Sequence, residues 1–170
     1  MSGSQYEREL KSILEAEQKT LSKITKSCSA LEIDNYSKIS EKPFATIRAA
    51  GSFGIDLVAV RGDISLLIEI KSSSEKILHF STMSGKLQKQ ADAIKETCEK
   101  TKTLPIYAYR LKGLRGDSWR IFTLSVDGLE GKSRIVHSRI PPLDNSKNGN
   151  YIMRWDQGLP LSEFINYICR

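Results

Sequence analysis

The chain has 170 residues and a formal net charge of +6, with 39% hydrophobic and 27% charged residues. That length suits one domain with a real core, the apolar fraction is that of a globular protein, and no apolar run is long enough to cross a membrane. The excess of cations favours a polyanionic partner, because neutralising phosphates releases counterions; taken alone, it equally fits a basic protein with no nucleic-acid role.

Cys28, Cys98 and Cys169 stand far apart and form no CxxC pair, and only His79 and His137 accompany them. They read as reduced thiols, which excludes a disulfide framework and a thiolate–imidazole metal cluster. The polar start, Met1 to Arg8, has no signal-peptide apolar core. The expected location is therefore the cytoplasm, in association with the nucleoid.

In chain order, residues 4–24 are predicted to be helical, since Tyr6, Leu10, Ile13, Leu14, Leu21 and Ile24 recur near a 3.6-residue period. Ser4 and Glu7 have the spacing of a capping box. Residues 25–42, polar and Ser/Lys-rich up to Pro43, read as a loop. Strands are predicted over 44–49, 55–60 and 64–71, separated by turns at Gly51–Gly54 and Arg61–Asp63. So short a second turn makes the last two strands antiparallel neighbours. After a flexible connection at 72–76, a helix is expected from about Ser84 to Lys100 with Leu87, Ala91 and Ile94 on one face. Strands at 104–111 and 118–124 flank a Gly-rich basic turn; 127–150 read mostly as loop, and Leu161 to Ile168 as a short terminal helix. This order predicts an α/β fold with a mixed central β-sheet flanked by helices. It is expected to form a single domain over 1–170, with a core over about 4–125 and a C-terminal extension over about 126–170.

The segment Ile64 to Lys71 stands out. Its alternation puts Leu66, Ile68 and Ile70 on one strand face, and Leu67, Glu69 and Lys71 on the other. A strand this apolar suits the centre of a sheet, where two opposite charges must be paired, metal-bound or at a cleft. The plainer reading is a solvated strand end on which Glu69 and Lys71 pair with each other. The same spacing recurs at Glu9–Lys11, Glu17–Lys19 and Glu130–Lys132, but only Glu69 stands inside an apolar strand.

Asp56 opens the preceding strand, directly after Gly51 to Ile55. Aspartate is disfavoured in strands, so this one needs a cap, a turn or a ligand. Either it ends the turn by bonding backbone N–H groups, or it sits beside Glu69 when the strands pair. Two adjacent carboxylates repel, and a divalent cation removes that penalty. Mg²⁺ prefers oxygen ligands, and the combination is what a hydrolytic phosphodiesterase needs. Lys71 would then orient water or stabilise negative charge on the phosphorane oxygens. A general-base role requires a pKa far below the usual value of about 10.4.

Asp56 followed by Glu69-Ile70-Lys71 on the next strand resembles the PD-(D/E)xK nuclease pattern, with Ile55 where that shorthand has proline. Over a longer span, Phe44 to Ala59, with Arg48, the Gly51-Ser52 turn and Asp56-Leu-Val-Ala59, resembles the archaeal Holliday junction resolvases. Tyr6 to Leu10 is similar to that family's N-terminal Ala-Glu-Arg-Glu-Leu, Leu104 to Ala108 and Ser118 to Phe122 to its closing strands, and Gly149-Asn-Tyr151 to the tails of longer members. Residues 21–42 depart from it, being longer than the usual link, and the sequence assigns them no role.

The resemblance implies a restriction-endonuclease-like core and a homodimeric Mg²⁺-dependent endonuclease, with Mn²⁺ able to substitute, that resolves four-way junctions by paired symmetric nicks leaving 5′-phosphates. It implies Glu7, Asp56, Glu69, Lys71 and Ser52 as catalytic residues, and Glu7, Asp56, Glu69 and Ile70 as metal ligands. Glu7 is alternatively a capping residue, Ser52 a plain turn residue and Arg48, a matched DNA contact, a solvated strand charge. Gln88 or Gln90 is expected to face the site, with Gln88 as a DNA contact, or both are solvent-facing. Lys76, His79, Lys86, Arg110, Lys112 and Arg115 are candidate phosphate contacts or solvated charges, and Trp119 and Trp155 are expected in the core or an interface. The expected partners are branched DNA and recombination or repair proteins. The rival readings are a restriction-like or repair nuclease acting on other DNA, and a non-catalytic DNA-binding module with a nuclease-like fold.

Overall fold

A computed structural model describes residues 3–49, 54–81 and 85–170. The chain opens with α1 (Gly3–Leu14), whose buried stripe is Tyr6, Leu10, Ile13 and Leu14. The single helix expected over 4–24 breaks after Leu14, where Ala16 takes φ 60°, and restarts as α2 (Gln18–Ile24). Ser4 lies inside α1 and accepts a hydrogen bond from Arg8. The loop expected over 25–42 contains α3 (Ala30–Ser37), whose start is a full capping box: Ser29 Oγ accepts from Glu32 N–H, and the Glu32 carboxylate accepts from Ser29 N–H.

Five strands of the main sheet follow. β1 (Ala45–Arg48) pairs antiparallel with β2 (Leu57–Arg61), and β2 with β3 (Ile64–Ser73), with Leu57 opposite Ile68 and Arg61 opposite Ile64. The chain leaves β3 through β4 (Ile77–His79) and α4 (Lys86–Thr101), and returns as β5 (Leu104–Leu111) parallel to β3. A parallel neighbour requires such a crossover. β6 (Trp119–Phe122) closes a hairpin with β5.

The segment expected to be loop over 127–150 holds α5 (Gly131–His137) and β7 (Asp144–Asn145). β8 (Tyr151–Arg154) joins β7 and β4 in a small second sheet, and β9 (Leu159–Pro160) extends the main sheet beside β6. The main order is β1-β2-β3-β5-β6-β9, a mixed sheet flanked by helices. α6 (Leu161–Ile168) packs on α3, where Lys38 donates to Asn166 at 2.8 Å.

Leu57, Ala59, Leu66, Ile68, Leu104, Ile106 and Ala108 are all at most 2% exposed, so the core is centred on β2, β3 and β5. Arg48, Leu57 and Ile68 stand in register on one face, while Glu69 and Tyr107 stand on the other. No helix among the described residues is long and apolar enough to cross a membrane.

Candidate active site

Glu69 is 5% exposed, on a central strand of the sheet. Its Oε1 accepts from Lys71 Nζ at 2.6 Å, two residues on along the same strand face. Its Oε2 is buried with no hydrogen-bond partner, alone in this among the side-chain atoms of the described residues. Burial pushes the Glu69 carboxyl up to about 7; the Lys71 charge opposes that rise and the Asp56 charge adds to it. The solvated strand end that sequence alone allowed is thereby replaced by a buried, under-coordinated carboxylate. Such an oxygen is costly to leave unsatisfied.

Asp56 lies one step beyond the Leu57–Ile68 pair, which brings it beside Glu69. Its N–H donates to Ile68 O at 2.9 Å, and its Oδ2 accepts from Ile70 N–H at 2.7 Å. Both readings of Asp56 therefore hold at once: it bonds a backbone N–H, and that bond fixes it against the Glu69 strand. Gly54 precedes it at φ +71°, and a Cβ there would sit 3.0 Å from the Gln90 Cβ and Cγ on α4. Glycine is needed both for the left-handed turn and for this close approach. Gln90 thus reaches the turn beside Asp56. Gln88 instead ties α4 to the small sheet, its Oε1 accepting from Tyr151 N–H at 2.8 Å.

Glu7 is not gathered with these groups. Arg48 Nη2 at the end of β1 donates to Glu7 Oε2 at 2.6 Å. Glu9, the other carboxylate on that stretch of α1, is tied into the fold by Trp119 Nε1 at 2.7 Å and Arg110 Nε at 3.1 Å. Its partners lie about a hundred residues away in sequence, which is why the helix pattern could not separate the two. Among the described residues no three His, Cys, Asp or Glu side chains form a group able to hold a metal ion. The donor set beside β3 still fits Mg²⁺, because that ion is commonly held by one or two carboxylates with substrate phosphate and water completing its shell. The lone Glu69 Oε2 supplies the observation for that fit.

Ser52 and its Gly51 neighbour lie outside the described residues. Arg110 is held by Glu9 and lies over the Tyr6 ring, and Lys76 pairs with Asp156 at 3.1 Å. Lys86 and Lys112 are exposed, as is His79 on β4. Trp119 and Trp155 are 1% and 6% exposed, in the core as expected.

The fold thus sets an aspartate at the mouth of one strand beside a Glu-x-Lys on the next, in a mixed α/β sheet. The chain belongs to the archaeal Holliday junction resolvase (Hjc) family, whose sequence profile matches residues 23–168. The match includes Asp56, Glu69 and Lys71, and starts beyond Glu7. Among solved structures the chain is similar to the 1.6 Å structure of Archaeoglobus fulgidus Hjc, a Holliday junction resolvase from an archaeal hyperthermophile. The two are 22% identical with a TM-score of 0.47, over 71% of this chain and 87% of that one. No curated protein matches the chain.

Proposed function

We propose that the chain is a structure-selective endonuclease that cuts four-way DNA junctions by metal-dependent phosphodiester hydrolysis. The observation that carries this reading is the buried Glu69, with a partnerless Oε2, held between Asp56 and Lys71 in a chain of the resolvase family. Asp56 and Glu69 would hold a Mg²⁺ ion, with Mn²⁺ able to substitute. Ile70 would join through its backbone, and Glu7 after exchanging Arg48 for the cation. When bound, the ion polarises the phosphodiester and makes water a stronger nucleophile.

The chain's own residues do the rest. Lys71, whose ammonium donates to Glu69, would stabilise the negative charge that develops on the phosphate oxygens. The Asp56–Ile70 bond keeps the two carboxylates in one geometry before substrate arrives, so little reorganisation is required at the moment of reaction. Ser52 would contact the scissile phosphate, and Arg48 a neighbouring one once freed from Glu7. A four-way junction has near-twofold symmetry and is cut on two opposed strands. A C2 dimer offers two sites in that relation, so the active species is a homodimer acting on branched DNA wherever the cell keeps its DNA.

The test compares a synthetic immobile four-way junction with a linear duplex and a flap of matching sequence, each with Mg²⁺ and with chelator. Cleavage confined to the junction and dependent on metal supports the proposal. Equal cutting of all three would leave a nuclease and remove the junction preference, and metal-independent or absent cleavage would overturn the chemistry.

A further inference from the structure

We infer that the segment between α1 and β1, to which the sequence assigns no role, builds a second phosphate-binding cleft for an arm of branched DNA, an inference that rests on the function proposed above. A cleft of about 510 Å³ opens between the end of α2 with its following turn and the β5–β6 hairpin. Its rim carries Lys23, Lys26, Arg110 and Arg115, with Glu9 as the one acid. A smaller groove of about 180 Å³ between α1 and α2 adjoins it, sharing Glu9 and Lys23 and adding Arg8.

The charges do not cancel. Glu9 is already engaged by Arg110 and Trp119. Among the described residues Lys23, Lys26 and Arg115 enter no ion pair, although eleven other cations do. Like charges collected in a concave wall repel one another and focus a positive potential, which a polyanion relieves. A merely solvated face would be convex and free to spread. Here the wall is fixed: Leu21 is buried in the core, and Gly116 at φ +84° brings the hairpin so near the Ser27 carbonyl that a Cβ would lie 3.1 Å from it.

The cleft also lies where a DNA arm would pass. Arg110 is paired in register with Ser72, the residue after Lys71, and Lys112 N–H donates to Ser73 O at 2.8 Å. The hairpin therefore starts at the end of β3 that carries the site. Arg110 and Lys71 point to opposite faces of the sheet. A linear duplex lying over Glu69 would leave the cleft empty, while a branched substrate turning around the sheet's end would fill it with backbone phosphates. The spacing of Lys19, Lys23 and Lys26 by four and three residues puts these cations along one side of α2 and its turn.

The experiment is a salt titration of binding, in chelator, to a four-way junction and to a linear duplex, for wild type and for Lys23→Ala/Lys26→Ala/Arg115→Ala. A second triple, Lys95→Ala/Lys100→Ala/Lys102→Ala, removes the same net charge elsewhere. All three replaced cations of the first variant are exposed, and a thermal melt checks that the fold persists. The first triple is expected to weaken junction binding about tenfold or more at moderate salt, lowering the slope of log K against log salt by about one per cation. The duplex and the control triple are expected to change much less. Unchanged junction affinity and slope, an equal loss on duplex, or an equal loss in the control triple would each overturn the second-arm cleft. A wild type that binds the junction yet cuts nothing with Mg²⁺ contradicts the function reading alone, and the binding comparison still decides the cleft.

Discussion

Arg48 at the end of β1 and Glu7 in the first half of α1 form an ion pair at 2.6 Å, with side chains 41% and 24% exposed. This pair occupies the carboxylate that the family resemblance assigns to the metal. An exposed ion pair contributes roughly 0–1 kcal/mol, so little free energy opposes its exchange for a divalent cation on one side and a phosphate on the other. Arg48→Ala is therefore expected to shift the unfolding midpoint by only a few degrees while weakening junction binding. Glu7→Gln is expected to reduce Mg²⁺-dependent cleavage about a hundredfold or more with binding retained, as for loss of a group acting in the transition state. Thermal melts, binding and single-turnover cleavage check both; full activity in Glu7→Gln removes Glu7 from the site.

Glu69 and Mg²⁺ should be linked through stability as well as activity. A ligand that binds only the folded state stabilises it by RT ln(1 + [L]/Kd), and an ion held as proposed would also relieve the unsatisfied Glu69 Oε2. The wild-type midpoint is expected to rise with added Mg²⁺. In Glu69→Ala it should not rise, and cleavage should be absent. Differential scanning at increasing Mg²⁺ measures this, and an undiminished rise in Glu69→Ala places the ion elsewhere.

Acid should act through Asp63. This carboxylate accepts from Arg61 at 2.6 Å and Lys132 at 2.8 Å, and the Arg61 bond above all holds it below the usual carboxylate range. Arg61 and Lys132 also donate to the carbonyls of Ile168 and Arg170, so the cluster pins the C-terminal helix. A folded-state pKa below the unfolded value of about 3.9 gives stabilisation that is present above that value and lost as pH falls towards the folded one. The carboxylate is more than a third exposed, so screening keeps the effect small. Asp63→Asn is expected to melt lower than wild type at pH 7, with the gap closing at pH values well under 4; a gap independent of pH would mean the charge is not its source.

Tyr36 provides a test that the α1–β1 segment is part of the domain. Its hydroxyl donates to Asp117 Oδ1 at 2.6 Å, while Asp117 Oδ2 accepts from Ser162 N–H at 3.2 Å. Tyr36→Phe leaves a buried carboxylate oxygen without its partner, at a cost of about 1–3 kcal/mol. Denaturant unfolding should show that loss in a single transition, with cleavage intact at low temperature. A separate early transition would make α3 an appendage.

β1, β2, β3, β5, β6 and α4 were legible because local chemistry decides them: alternation in Ile64 to Lys71, a tight turn at Gly62, and a helical stripe through Leu87, Ala91 and Ile94; β4 and β8 were not. Glu69 was legible because a carboxylate inside an apolar strand violates burial rules. The break at Ala16 has no Gly or Pro to announce it, and the two-residue strands β7 and β9 are set by distant partners. α3 was readable from the Ser29–Glu32 capping box, a signal masked by the polar composition around it. The different surroundings of Glu7 and Glu9 were beyond the helix pattern, since Arg48, Arg110 and Trp119 reach them from other elements. Gln90 was favoured over Gln88 by its approach to Gly54, which only the folded turn reveals.

The central claim is tested most directly by mapping the cuts that the wild-type protein makes in an immobile four-way junction with Mg²⁺, with each strand end-labelled in turn. The account predicts paired nicks placed symmetrically on two opposed strands, absent in chelator and absent in Glu69→Ala. Cuts on all four strands, or cuts of equal frequency in the linear duplex arms alone, would contradict it.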